Sequence, residues 1–102
     1  MVQLITDRVA ELEELCRHCS VLRLDAFGSA TDARRFGPES DLDFLVEFPP
    51  ALVSGRADAY FELLFGLQEL FGRPVDLVMN SAIVNPYFRE AVEASRELIY
   101  AA

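Results

Sequence analysis

Hydrophobic and polar residues follow each other along the chain with periods that predict a mixture of helices and strands. Near the start, Ile5, Val9, Leu12 and Cys16 recur every three or four residues, which predicts an amphipathic helix. Short apolar runs bounded by turn residues predict strands. The pattern therefore predicts helices over residues 2–18, 58–71 and 86–100, and strands over residues 21–27, 41–48 and 75–79.

The predicted helix over residues 58–71 has clear end signals and a broad apolar surface. Asp58 is a good N-cap residue, Gly72 suits the position after the helix, and Pro74 prevents its continuation. Its apolar residues cover an arc of roughly 220° at 100° per residue, wider than the usual core-facing stripe. Either a partner protein covers part of this surface, or the helix lies between the sheet and the terminal helices.

The connections indicate how some elements pair and where the last helix begins. A helical crossover joins the second and third strands, so we expect these two strands to be parallel. Asn85 and Pro86 form a good helix start, as the N-cap and the first helical residue. Tyr87 and Phe88 follow, and we expect them in the core rather than stacked on a nucleobase.

The composition describes a small acidic domain. The chain has 102 residues and a formal net charge of −8, and 52% of its residues are hydrophobic. This length suits a single domain over residues 1–102, and the hydrophobic content argues against disorder. The negative charge argues against stable binding to nucleic acid or to an anionic membrane. Because neither a signal peptide nor a long apolar run is present, we expect a cytoplasmic protein.

Two cysteines and one histidine restrict the metal and redox chemistry. They are too few for a disulfide-rich scaffold or for a four-ligand zinc site of Cys and His. Cys16 and Cys19 flank His18 at the end of the first predicted helix, where the helix dipole does not favour a thiolate. We therefore expect structural thiols and a solvated histidine.

Three acidic residues carry the strongest chemical signal. Asp41 and Asp43 share one face at the start of the second strand, where they repel each other unless a cation neutralises them. Such oxygen ligands suit Mg²⁺ or Mn²⁺, although two acids on a solvent-facing strand edge would show the same pattern. Asp76 lies inside the otherwise apolar third strand, so it is either at the end of the strand in water or beside a cation, and it would join the cluster if the two strands are neighbours.

A Gly-Ser pair is a candidate phosphate-binding turn. Gly28 and Ser29 follow the first strand, so a close backbone approach and a hydroxyl group meet where a helical turn can start. An ordinary turn that caps a helix would have the same sequence. Arg34 and Arg35 lie either within reach of an anion or in solvent. We expect Asp25 in a surface salt bridge rather than at the metal cluster.

The order of these elements resembles the DNA polymerase beta superfamily of nucleotidyltransferases. The motifs of that family correspond to Phe27-Gly28-Ser29, Asp41-Leu42-Asp43-Phe44 and Val75-Asp76-Leu77. The resemblance implies an α/β (α+β) core of the order α-β-α-β-α-β-α, with a small mixed three-stranded sheet flanked by helices. Eleven residues separate Ser29 from Asp41, one more than is usual in small bacterial members, so we expect a longer loop near Phe36 or Gly37.

The resemblance also implies a role for each motif residue. On the family pattern, Asp41 and Asp43 bind two Mg²⁺ ions, for which Mn²⁺ could substitute. Asp76 binds the catalytic ion and helps to deprotonate the attacking hydroxyl. Gly28 and Ser29 hold the β- and γ-phosphates of a nucleoside triphosphate. The implied reaction is an in-line attack on the α-phosphorus that releases pyrophosphate.

Among family members, the short chain resembles the minimal nucleotidyltransferase (MNT) antitoxins of HEPN/MNT toxin–antitoxin pairs. That resemblance implies a HEPN-family helical ribonuclease toxin as the partner, and transfer of AMP from ATP to a tyrosine of the toxin. One alternative is a nucleotidyltransferase for a small molecule, with its pocket completed by a homo-oligomer or a second subunit. Another is a non-catalytic inhibitor that binds a toxin. The presence of Asp41, Asp43 and Asp76 favours an enzyme.

Overall fold

The computed structural model describes residues 1–52 and 54–102 and contains one mixed sheet with helices on both faces. The helices are α1 (Gln3–Thr6), α2 (Val9–His18), α3 (Arg56–Phe71) and α4 (Pro86–Ser95). The strands are β1 (Arg23–Phe27), β2 (Leu42–Glu47), β3 (Val75–Met79) and β4 (Glu97–Ala101). Two 3₁₀ turns, η1 (Gly28–Thr31) and η2 (Asn80–Ala82), follow β1 and β3. No helix in this part of the chain is long and apolar enough to cross a membrane.

The sheet has the strand order β3-β2-β1-β4. β2 and β3 are parallel, as the helical crossover through α3 predicts, whereas β1 is antiparallel to both of its neighbours. The register places Asp43 beside Phe27 on one side and beside Asp76 on the other. The central strand β2 therefore brings the end of β1 and the start of β3 to one place.

A fourth strand corrects the prediction of a three-stranded sheet and of a helix over residues 86–100. α4 ends at Ser95, and β4 pairs with β1. No Gly or Pro marks this end in the sequence. Instead, Arg96 adopts an extended backbone (φ −62°, ψ 138°), and its guanidinium binds the buried Asp25 of β1. A contact between residues far apart in sequence thus accompanies the end of the helix.

The alternation of side chains along β1 and β2 creates two separate apolar clusters. The larger cluster packs the sheet against α1, α2 and α3, and includes Ile5, Leu12, Leu24, Phe44, Leu63 and Leu67. The smaller cluster lies under α4 and contains Phe27, Leu45 and Val92. By the same alternation, Asp25 and Asp43 share the sheet face of the smaller cluster. The charged positions of the central strands therefore lie on the α4 side.

The predicted helix over residues 2–18 consists of two shorter helices. The break falls at Asp7 and Arg8, between α1 and α2. The N–H of Val2 donates a hydrogen bond to the Ala30 carbonyl (2.9 Å), which ties the start of the chain to η1. Both Val2 and Ile5 are buried, so the break allows the first residues to reach the core.

The helix ends follow the sequence signals in two of three cases. Gly72 has a φ of 62° and ends α3 in the left-handed conformation, as predicted. The side chain of Asn85 accepts hydrogen bonds from the N–H groups of the next turn and caps α4, also as predicted. The prediction for Asp58 is wrong, because α3 begins after Gly55 and Asp58 lies in its first turn. A carboxylate there still suits the positive end of the helix dipole.

α3 buries only part of its broad apolar surface. Leu63 and Leu67 are fully buried in the larger cluster. Phe61 and Phe65 are 51% and 61% exposed, and their rings stack with 6.2 Å between centroids. The alternative in which this helix lies between the sheet and the terminal helices is therefore wrong for these two phenylalanines. That a partner protein covers their rings stays a prediction.

Candidate active site

Asp41, Asp43 and Asp76 lie at the same end of the sheet. Asp43 is in β2, directly beside Asp76 on the parallel strand β3, and Asp41 precedes β2. Asp43 is partly buried, whereas Asp41 and Asp76 are exposed. The structure thus confirms that β2 and β3 are neighbours and places the three predicted site residues in one region.

The negative charge of this region acts on the Asp43 carboxyl group. Burial raises the pKa of Asp43, and the nearby carboxylates of Asp76 and Asp41 raise it further, to about 6 from an ordinary 3.8. At neutral pH the group is therefore ionised against the repulsion of its neighbours. A bound cation would remove that unfavourable interaction.

The donor set of this region suits a hard divalent cation. Carboxylate oxygens are the ligands that Mg²⁺ and Mn²⁺ prefer in proteins. Among residues 1–52 and 54–102, however, no three Asp, Glu, His or Cys side chains converge as a preformed metal cluster. The backbone brings the acids to adjacent positions without a common focus, so their predicted role as metal ligands stays a prediction.

Gly28 places the backbone of the Gly-Ser turn against Asp43. β1 ends at Phe27, beside Asp43, and η1 begins at Gly28 with a φ of 65°. A Cβ atom at position 28 would lie only 2.8 Å from Asp43 Oδ2. Glycine alone fits both the left-handed backbone and this close approach. The turn and the carboxylates are therefore parts of one site.

Arg73 holds the loop between η1 and β2. Its guanidinium donates hydrogen bonds to the carbonyls of Gly37 (3.4 Å) and Ser40 (3.1 Å). The same group lies over the Phe36 ring, 4.7 Å from the centroid, in a cation–π contact. The segment near Phe36 and Gly37, where the sequence predicts the longer loop, is thus fastened to the residues that precede β3.

A cavity of about 450 Å³ opens beside Gly28, between η1 and α4. Its apolar wall includes Phe27 and Phe88, whose rings meet edge to face with 6.0 Å between centroids. Arg35 contributes a cationic group to the lining, whereas Arg34 is exposed and lies 3.4 Å from a carboxylate oxygen of its neighbour Asp32. Of the two arginines, Arg35 is therefore the one placed beside the site.

The aromatic residues at the start of α4 correct another prediction. Tyr87 and Phe88 are 81% and 40% exposed, so the expectation that both lie in the core is wrong. They occupy the first turn of α4, and the buried contact of this helix is made further along by Val92. Periodicity identifies the helix but not which of its turns rests on the sheet.

Asp25 lies outside the carboxylate cluster and is fully buried, so the predicted surface salt bridge is wrong in its location. Arg23 donates hydrogen bonds to both carboxylate oxygens (2.8 and 3.0 Å), and Arg96 donates one to Oδ2 (2.7 Å). Burial is the largest single influence and raises the pKa of Asp25, but the two arginines outweigh it and hold the pKa below its ordinary value. Asp25 is thus a charged structural residue.

The cysteines and the histidine have the predicted character. Cys16 and Cys19 are buried, and burial raises the pKa of their thiols to about 12 and about 11. Both thiols are therefore protonated at neutral pH. His18 is exposed at the end of α2, with its Nε2 atom 2.6 Å from a carboxylate oxygen of Glu62.

Ser95 is a site residue that no sequence pattern indicates. Its hydroxyl oxygen accepts a hydrogen bond of 2.9 Å from the N–H of Gly28, which lies 67 positions earlier. The same hydroxyl donates to the Ala91 carbonyl (3.2 Å). A serine near the end of a helix is ordinary in sequence, so only the packing of α4 beside η1 brings it to the site.

Comparison with known proteins identifies the family. Residues 10–99 match the family described as the nucleotidyltransferase domain. The chain belongs to this family. A curated relative from Methanocaldococcus jannaschii, provisionally named protein adenylyltransferase MJ0128, is 43% identical over 65 residues. The aligned segment covers 61% of this chain and 58% of the relative, so it spans little more than half of that protein.

Solved structures share the fold. One, provisionally described as a minimal nucleotidyltransferase, is 28% identical, covers 94% of this chain and 95% of its own, and has a TM-score of 0.72. A chain from the complex of a tri-AMPylated Shewanella oneidensis HEPN toxin with an MNT antitoxin is 18% identical, with coverage of 95% and 72% and a TM-score of 0.65. The second likeness concerns the fold alone. Together with the family match, the two solved structures confirm the predicted nucleotidyltransferase core.

Proposed function

We propose that this chain transfers AMP from ATP to a hydroxyl group of a protein, in a reaction that depends on divalent cations. The observation that carries the proposal is the close approach of Gly28 to Asp43, beside Asp76, which places the candidate phosphate-binding turn against the three carboxylates. Family membership supports nucleotidyl transfer, and the name of the M. jannaschii relative supports a protein acceptor. Residues 1–102 would form the single catalytic domain.

Each site residue has a defined task in this proposal. Ser29 would bind the β- and γ-phosphates at the start of η1, with Gly28 allowing their close approach. Asp41 and Asp43 would hold two Mg²⁺ ions, and Asp76 would hold the catalytic one, with Mn²⁺ as a substitute. When bound, the ions supply positive charge that offsets the charge of the triphosphate.

The bond changes follow from this arrangement. The oxygen of the acceptor hydroxyl attacks the α-phosphorus in line with the bridging oxygen of the β-phosphate. The new P–O bond forms as the bond to that bridging oxygen breaks, and pyrophosphate leaves. Asp76 would accept the hydroxyl proton, because it is exposed and can be reached by an incoming acceptor.

We further propose that the acceptor is a tyrosine of a HEPN-family helical toxin, which this chain silences as a cytoplasmic antitoxin. One fold relative comes from a complex of an AMPylated HEPN toxin with an MNT antitoxin. Phe61 and Phe65 support a protein partner, because they expose two large apolar rings on α3. The net charge of −8 favours a partner with a basic surface.

Intact-mass spectrometry of the chain mixed with a HEPN toxin, ATP and Mg²⁺ tests the proposal. We expect increments of one or more AMP groups on the toxin. Asp43→Ala should abolish them and leave the complex intact, whereas Glu14→Gln, which removes an exposed carboxylate on α2, should not. Inhibition of the toxin without any added AMP would favour a non-catalytic inhibitor. AMP transfer only to a small hydroxyl compound would favour a small-molecule acceptor, with the pocket completed by a homo-oligomer or second subunit.

Gly28→Ala should lower AMP transfer at least about tenfold and the free energy of unfolding by about 2 kcal/mol. The added methyl group would press on Asp43 and would also strain the positive φ. Transfer assays and urea denaturation measure the two effects.

Gly72→Ala is the matched control for Gly28→Ala. Gly72 has nearly the same φ, 62° against 65°, but an added Cβ would meet no atom within 4 Å. The control should lose about 1 kcal/mol of stability through its φ alone and should retain normal transfer. Equal loss of transfer in both variants would show that the contact with Asp43 is unimportant.

A further inference from the structure

Both polar backbone groups of Gly28 are bound within the protein. Its N–H donates to the hydroxyl oxygen of Ser95 (2.9 Å), and this hydroxyl donates in turn to the Ala91 carbonyl (3.2 Å). On the other side, the Gly28 carbonyl accepts a hydrogen bond from the Thr31 hydroxyl (2.8 Å). The bond to Ser95 ties Gly28 to α4, the bond from Thr31 lies within η1, and neither depends on a ligand.

Ser95 is itself held in place by the residue that follows it. Arg96 leaves the helix, and its Nε donates to Oδ2 of the buried Asp25 (2.7 Å). A second guanidinium nitrogen donates to Glu93 in the last turn of α4 (2.9 Å). These contacts tie the end of α4 to β1, and β1 leads directly into Gly28. β1 therefore holds the end of α4, where Ser95 lies, and also leads into the turn that begins at Gly28.

Ser29 differs from Gly28 in its hydrogen bonding. In the part of the chain that the structure describes, neither the N–H nor the hydroxyl of Ser29 has a protein partner. No buried polar side-chain atom in this part lacks a partner, so the Ser29 hydroxyl is open to solvent. Of the two residues, Ser29 offers donors to an anion, while the donor of Gly28 is already used.

We propose that Ser95 is a positioning residue for the nucleotide. It fixes the Gly28 backbone beside Asp43 so that Ser29 presents its N–H and hydroxyl to the phosphates. This inference rests on the proposed nucleotidyl transfer. It assigns the predicted phosphate binding of the Gly-Ser pair to Ser29 and gives Gly28 a different role. Gly28 allows close approach, Ser29 binds, and Ser95 holds the turn in place.

The expected effect is on nucleotide affinity more than on turnover. Loss of one hydrogen bond that orders a binding turn should weaken ATP binding about 3- to 10-fold. Ser95→Ala should therefore raise the KM for ATP by this factor and change kcat less than twofold. Ser95→Thr keeps the hydroxyl and should restore the wild-type values. Ser81→Ala removes an exposed serine of η2 and serves as the control.

Two measurements on the full chain test the inference. Amide hydrogen exchange, followed by NMR without nucleotide, reports the Gly28 N–H directly. We expect protection in the wild type and in Ser95→Thr, and faster exchange in Ser95→Ala. Titration with ATP in the presence of Mg²⁺ then gives the affinity of each variant, and urea denaturation verifies that all of them fold.

The outcomes separate this inference from the proposed function. Ser95→Ala with wild-type Gly28 exchange and wild-type ATP affinity would overturn the inference and leave the proposed function standing. Tighter ATP binding by Ser95→Ala would also overturn it, because Ser95 would then compete with phosphate for the Gly28 N–H. A wild-type chain that binds no ATP would overturn the proposed function and, with it, the role of Ser95 toward a nucleotide.

Discussion

Asp43→Asn should abolish AMP transfer and, above about pH 6, stabilise the folded chain. Asp43 is central in the carboxylate cluster, with Asp76 beside it and Asp41 two residues before it. In the proposed reaction its charge holds the cations that neutralise the triphosphate, so we expect a loss of roughly a thousandfold in transfer. Loss of function with gain of stability would show that this charge serves activity rather than folding.

The stabilisation follows from the raised pKa of Asp43. Burial and the carboxylates of Asp76 and Asp41 raise the pKa to about 6 in the folded chain, whereas the ordinary value is 3.8. A raised pKa means that the folded state binds this proton more tightly than the unfolded state does. The associated stability is present in full below about pH 4 and is lost as the pH rises through 6. The neutral Asn avoids that loss, which gives a gain of about 1–2 kcal/mol after solvent screening.

Urea denaturation in the presence of a chelator measures this prediction. The unfolding free energies of the wild type and Asp43→Asn should differ at about pH 8 and converge at about pH 4. Mg²⁺ should stabilise the wild type at about pH 8 and stabilise the variant much less. Glu14→Gln, at an exposed position in the middle of α2, is the control. Identical pH profiles for wild type and Asp43→Asn would contradict the crowding of charge at Asp43.

The arrangement of the carboxylates could be predicted because it depends on local rules. A period of two predicts that Asp41 and Asp43 share one face at the start of the second strand. The crossover through α3 makes β3 parallel to β2, and the register then brings Asp76 beside Asp43. The end of β1 at Phe27, directly before Gly28, follows from the change from apolar to polar residues. These predictions use neighbours in sequence and a helical crossover, whereas the adjacency of β2 and β3 and their register come from the structure.

The features that the sequence does not reveal depend on contacts between distant residues. Five residues, Glu97–Ala101, are too few to distinguish a strand from the end of a helix by periodicity. Arg96 leaves α4 where its guanidinium meets Asp25, 71 positions earlier. The same long-range contact explains why Asp25 is buried rather than exposed, and why Ser95 reaches Gly28. Such pairings are decided by the packing of α4 on the sheet.

Arg96→Met should lower the free energy of unfolding by about 3 kcal/mol at neutral pH, the largest stability loss that we predict. Arg96 is one of two cations that hold Asp25, and its own side chain is only 14% exposed. Methionine preserves part of the apolar stem but leaves the fully buried carboxylate with Arg23 alone. A buried charge that loses a partner is strongly destabilising, more so than an exposed pair.

The stability that Asp25 contributes depends on pH with the opposite sign to that of Asp43. In the wild type, the arginines hold the pKa of Asp25 below its ordinary value despite burial. The stability from this group is therefore present at neutral pH and is lost as the pH falls below about 4. Without Arg96, only Arg23 opposes the effect of burial, so the pKa of Asp25 should rise. Protonation of Asp25 should then reduce the loss of stability in the variant. The gap between the two proteins should shrink from about pH 7 to about pH 4.5.

Urea denaturation at these two pH values, with Arg17→Met as the control, separates a buried ion pair from a surface one. Arg17 is 60% exposed and lies 4.0 Å from Glu13, so its replacement should cost no more than about 0.5 kcal/mol. A loss below about 1 kcal/mol in Arg96→Met, or one that is the same at both pH values, would contradict the role of Arg96 toward Asp25.

Because Arg96 also holds the end of α4, its replacement should increase hydrogen exchange at the Gly28 N–H, as in Ser95→Ala. Faster exchange at Gly28 in both variants would show that the buried charge at Asp25 and the Gly28-Ser29 turn are coupled through the end of α4.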